Sequence, residues 1–167
     1  MRRPRIRGTP DGADRPRGRA DTIPGVATVF TKIINGELPG RFVWSDDRVV
    51  AFLSINPLGP GHVLVVPREE VDQWLDAPDG LLEHVMTVAR AVGSVIRDTW
   101  SPPRVALMVA GFEVPHLHVH VHPAWGLEAF DFSQADPDPD QGEMDRAAES
   151  IRAGLRAAGH GSAVPEA

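Results

Sequence analysis

The chain has 167 residues, 42% of them hydrophobic, no cysteine, and a formal net charge of −6. That length predicts one domain with a sizeable core. The missing thiols exclude disulfides and cysteine-bound metal, and no stretch approaches the roughly 20 apolar residues of a membrane-spanning helix.

The charge is uneven along the chain. Residues 1–21 carry seven arginines against three aspartates, a net of +4 that leaves −10 for the rest. This segment is also rich in Pro and Gly and poor in apolar residues, so residues 1–25 are expected to be a disordered tail. It has no apolar signal region, and the expected location is cytoplasmic. It lacks aromatics for stacking on bases, and the acidic body makes nucleic acid an unlikely partner. Lysine occurs once against 16 arginines, which with the abundance of Ala, Gly and Pro fits a GC-rich coding bias.

Phe30 to Asn35 is predicted as a short helix closing at Gly36. Arg41 to Trp44, Val49 to Leu53 and His62 to Val66 read as three strands; the last lies between Pro60-Gly61 and Pro67. A long helix should begin near Pro78 and reach about Thr99, with Leu82, Val85, Met86, Ala89, Val92, Val95 and Ile96 at helical spacing. Val105 to Ala110 and His116 to His122 read as fourth and fifth strands. After the Asp/Pro run at 136–140, a last helix is expected over about 143–158, with a weak stripe of Ala147, Ile151, Leu155 and Ala158. The fold class that follows is α+β: a five-stranded antiparallel sheet with one long and one short helix, plus a C-terminal helix.

The most informative run is His116-Leu117-His118-Val119-His120-Val121-His122-Pro123. On a strand the four imidazoles share one face at about 6.6–6.8 Å spacing, and Leu117, Val119 and Val121 face a core. Packing alone explains four such residues poorly, because buried histidine needs hydrogen-bond partners. Two chemical readings stand. Neutral imidazole is the commonest metal ligand, but a straight strand spreads the row widely for a tetrahedral site. Imidazole is also a competent nucleophile near neutral pH.

This run resembles the signature of the histidine triad (HIT) superfamily, in which three histidines alternate with hydrophobic residues. Phe30 to Pro39 is similar to its first helix and turn, and Asp46 to Pro67, with the loop Asn56-Pro57-Leu58-Gly59-Pro60-Gly61-His62, to its central strands. The resemblance implies the HIT-like fold for a domain over residues 26–125, a C-terminal extension over 126–167, and a homodimer. It also implies activity at the α-phosphate of a purine nucleotide conjugate, with no cofactor and no membrane partner. His118 then matches the nucleophile, flanked by His116 and His120. Ser54, Ile55, Gly111, Glu113, Val114 and His62 match the nucleotide- and phosphate-binding positions, with backbone N–H groups of the loop at 111–114 facing the phosphoryl oxygens.

Several positions depart from that pattern. Ser54 stands where aspartate usually serves the ribose, and Glu113 where a neutral residue usually helps the leaving group. The segment before Gly111 lacks the expected asparagine. Zinc-binding members carry Cys-x-x-Cys where this chain has Thr28-Val29-Phe30-Thr31, so no metal is expected. The expected function is a nucleotide hydrolase or nucleotidyl transferase working through a nucleotidyl-histidine. The alternatives are a non-catalytic nucleotide-binding sensor of the same fold and a zinc-dependent hydrolase using the histidine row.

Overall fold

The computed structural model describes residues 27–166; the expectation for the basic tail lies outside them. The elements are α1 (Val29–Ile34), β1 (Phe42–Ser45), β2 (Val49–Leu53), β3 (Val63–Pro67), α2 (Leu81–Trp100), β4 (Arg104–Met108), β5 (Val119–Ala124) and α3 (Gln141–Leu155). The five strands form one sheet in the order β1-β2-β3-β5-β4, and every neighbouring pair is antiparallel. Among the described residues no helix is long and apolar enough to cross a membrane.

Strand alternation splits the apolar residues between two faces. Val49, Ala51, Val63, Val65, Val119 and Val121 join Val85, Val92 and Ile96 of α2 in the main core. Val50, Phe52, Leu64 and Val66 face the other way and meet Phe30 and Ile33 of α1. Both helices that cover the main core are amphipathic. Along α2 the buried stripe is Leu81, Val85, Val88, Ala89, Val92, Val95 and Ile96. It is shifted from the expected stripe: Met86 is exposed and Leu82 is only half-buried, while Leu81 and Val88 point inward. α3 starts earlier than expected because the Asp140 carboxylate accepts from Glu143 N–H and caps it. It buries Met144, Ala147, Ala148, Ile151 and Leu155 in the main core, whereas Ala158 falls in an exposed turn beyond the helix.

β5 is shorter at its start than the histidine run suggests. Pairing begins at Val119, opposite Val65. Upstream, Pro115 has no N–H, His116 N–H bonds back to the Val114 carbonyl, and the Pro67 carbonyl is taken by the His116 ring. His116 and His118 therefore sit on an irregular lead-in, and only His120 and His122 lie within the strand.

Candidate active site

The lead-in to β5, the start of β3, α1 and the loop at 54–62 surround a cleft of about 680 Å³. Seven of the expected site residues line it: Ser54, Ile55, His62, Glu113, Val114, His118 and His120. His116 lies behind it, fully buried, and Gly111 stands outside the lining. Gly111 has φ +70 with open space around a would-be Cβ, so its backbone conformation rather than a close approach asks for glycine.

The hydrogen bonds fix the protonation of each ring. Leu58 N–H donates to His62 Nδ1 at 3.0 Å, so His62 carries its proton on Nε2. His62 Nε2–H then donates to His120 Nδ1 at 3.0 Å, which leaves His120 with its own proton on Nε2. His118 Nδ1–H donates to the His116 carbonyl at 2.7 Å, so the Nε2 lone pair of His118 is unprotonated. The His116 ring donates from Nε2 to the Pro67 carbonyl and accepts at Nδ1 from the Thr28 hydroxyl, both at 2.8 Å.

Thr28 is thus both the cap of α1 and the anchor of His116. Its oxygen accepts from Thr31 N–H, its own N–H donates to Glu70, and the Thr31 hydroxyl donates to the same Glu70 carboxylate. The stretch from Thr28 to Thr31, where the resemblance implies two thiols in zinc-binding members, is here part of a hydrogen-bonded knot of two threonines, a glutamate and a histidine.

The rings pack closely. The centroids of His118 and His120 are 4.9 Å apart, and those of His62 lie 5.2 Å from His120 and 4.8 Å from His122. Burial, reinforced by neighbouring histidines, pushes His62 down to about 2 and His120 to about 4. Burial also lowers His118, against the opposing pull of the His116 carbonyl and Glu113, and it lowers His116 and His122. The cluster is neutral at neutral pH. Among the described residues, no group of three His, Asp or Glu side chains is placed to hold a metal ion.

Ser54 is buried and donates its hydroxyl to the Asn56 carbonyl at 3.1 Å, so toward a ligand it offers lone pairs. Ile55 is 73% exposed and is therefore cleft wall rather than core. His122 is fully buried, with Nε2 unpaired among the described residues. The sequence reading missed the contribution of the C-terminal extension. Phe132 places its ring edge-on to His120 at 5.1 Å, and Phe130 lies 6.3 Å from His122. Phe132, Ala135, Gln141 and Asp145 line the same cleft, as does Arg41. The available signal was a pair of phenylalanines stranded in a polar, Asp- and Pro-rich segment.

Comparison with known proteins identifies the family and agrees with the fold. The HIT domain family matches residues 35–125. An uncharacterized HIT-like protein of Borreliella burgdorferi is 36% identical over 115 residues, which cover 65% of this chain and 83% of that protein. One from Methanocaldococcus jannaschii is 37% identical over 101 residues, 58% and 78% of the two chains. The solved structure of a hypothetical histidine triad nucleotide-binding protein from Sulfolobus tokodaii superposes with a TM-score of 0.68 at 28% identity, over 77% of this chain and 91% of that one.

Proposed function

The chain belongs to the HIT family, and from that premise we propose that it is a hydrolase or nucleotidyl transferase acting at the α-phosphate of a purine nucleotide conjugate. The observation that carries this reading is the tautomer of His118. Its Nδ1–H is committed to the His116 carbonyl, so an uncharged lone pair at Nε2 is presented in a cleft that His118 itself lines. An uncharged nucleophile meets no charge repulsion at an anionic phosphate.

In the proposed reaction the Nε2 lone pair forms a bond to the α-phosphorus, and the bond from phosphorus to the leaving group breaks with its electron pair. The leaving group takes up a proton from solvent, which is balanced by the proton that the attacking water or other acceptor gives up in the second step. Water or another acceptor then displaces His118 from the nucleotidyl intermediate, releases the nucleotide and restores the imidazole. His120 Nε2–H supplies a donor for the phosphoryl oxygen where charge builds up, and its direction is fixed by His62. Ile55, Ile33 and Phe52 form the apolar wall suited to a base, with Ser54 beside the sugar. His116 is a positioning residue in this scheme, and Glu113 and Val114 border the phosphate and leaving group.

We place the protein in the cytoplasm as a homodimer of a HIT domain over residues 26–125 with its extension. β4 is an edge strand, and the exposed Leu107, Val109 and Phe112 on and after it suit a second copy.

Incubation with adenosine phosphoramidate labelled at the α-phosphate, followed by rapid denaturation, tests the chemistry. Label should remain on the wild-type protein and be absent from His118→Ala, which should still bind AMP. Turnover by His118→Ala equal to wild type would falsify the assignment. AMP binding without turnover or label in the wild type would instead identify a nucleotide-binding sensor. Turnover abolished by chelation and restored by zinc would support the metal-dependent reading.

A further inference from the structure

The end of the cleft remote from the histidines carries a polar set that the proposed chemistry does not use. Arg41, just before β1, donates from Nε to Asp145 Oδ1 at 2.7 Å and from Nη2 to Gln141 Oε1 at 3.0 Å. Gln141 is held in turn, because its Nε2 donates to the Pro139 carbonyl at 2.7 Å. All three side chains line the cleft. Gln141 and Asp145 belong to α3, beyond the region matched by the HIT family.

Arg41 precedes β1 and His118 leads into β5, two strands three places apart in the sheet, about 14 Å laterally at the usual strand spacing. The floor between them is apolar, formed by Ile33, Phe52 and Ile55. A nucleotide with its phosphate at His118 and its ring on Ile55 would present the ring edge to Arg41 and Asp145.

The polarity of that pair is specific. Among the described residues Asp145 Oδ2 and the Nη1 donors of Arg41 have no partner. The pair therefore shows a base a carboxylate acceptor beside guanidinium donors. Guanine offers two adjacent N–H groups, at N1 and the 2-amino group, followed by the O6 acceptor. The carboxylate takes the first two, and the guanidinium takes O6, its commonest base partner. Adenine has one donor at N6, a bare N1 and no 2-amino group, so it leaves part of the set unpaired.

We propose that Arg41, Asp145 and Gln141 form a base-edge subsite that selects guanine nucleotides over adenine nucleotides. The proposal rests on the nucleotide reading above and adds to it the identity of the base.

Calorimetric titration of the full chain with GMP, IMP and AMP tests it. GMP should bind at least about tenfold more tightly than AMP, with IMP between them, since one good base-edge pair is worth that much. Asp145→Asn should reduce the GMP preference to within about threefold, mainly by weakening GMP, and Gln141→Ala should reduce it less. Both positions are exposed, so these variants are expected to fold. Equal or tighter binding of AMP by the wild type overturns the base assignment and leaves the nucleotide reading standing, as does an unchanged preference in Asp145→Asn. Failure of all three nucleotides to bind overturns the nucleotide reading and this inference together.

Discussion

His118 and His116 are linked through the main chain: the side chain of one donates to the carbonyl of the other at 2.7 Å, and the His116 ring is turned away to Thr28 and Pro67. His116 thus serves His118 by holding its own backbone still, and it owes that fixity to a threonine 88 residues earlier in the chain.

Thr28→Val should therefore lower kcat by about tenfold with little change in KM, in addition to losing about 1 kcal/mol of stability from the helix cap. Thr28→Ser, which keeps the hydroxyl, should restore most of kcat. If both variants lose the same stability and neither loses kcat, Thr28 is a cap and nothing more.

His120 and His62 should behave as one unit, because the proton on His120 Nε2 is fixed by the bond from His62. His120→Ala should cost about 10²–10³ in kcat, the usual effect of removing one donor from a developing oxyanion. His62→Phe should cost less on its own and almost nothing further when added to His120→Ala. Additive effects in the double variant would show that the two rings act independently.

Glu113 is exposed on the rim, and its charge reaches His118. We expect repulsion of the substrate phosphate to dominate there. Glu113→Gln should bind AMP about two- to fivefold more tightly, the range of a solvent-exposed charge pair. Slower turnover confined to poor leaving groups would identify Glu113 as the proton donor instead.

Acid should unfold the protein through its histidines. His62 and His120 have folded values near 2 and 4, below the ordinary 6.5 of an unfolded chain. Between 6.5 and those values the unfolded chain binds the extra protons, so stability falls with pH at about 1.4 kcal/mol per pH unit for each ring. Chemical denaturation at pH 7, 6 and 5 should show stability declining from just below pH 6.5, and His62→Gln should flatten the decline. A flat profile down to pH 5 would mean that these rings are charged in the native state.

The elements with a strong period were legible in the sequence. The Val-rich central strands were legible as short apolar runs bounded by turn residues, and the long helix follows from helical spacing. The histidine run drew attention to the right place, but a strand of uniform alternation was too regular a picture. Pro115 and the side-chain use of the Pro67 carbonyl, both long-range matters, end the ladder at Val119. The start of α3 was available as Asp140 with Glu143 three residues on, a capping pair disguised by the preceding Asp-Pro repeat. The return of Phe132 to the cleft was hinted at only by two phenylalanines in a polar segment, and that of Gln141 and Asp145 had no local signature, because it depends on where the chain passes after leaving the sheet.

That passage also blurs where the domain ends. α3 puts Ile151 and Leu155 into the same core as Val92 and Ile96, and a Cβ on Gly154 would collide with Val95. Truncation at residue 125, the end of the family match, would uncover one side of α2 and remove a wall of the cleft. The amides of α3 should accordingly exchange with solvent only when the whole molecule opens, at the same slow rate as those of β3, so that the cooperative unit of this protein is larger than its family boundary.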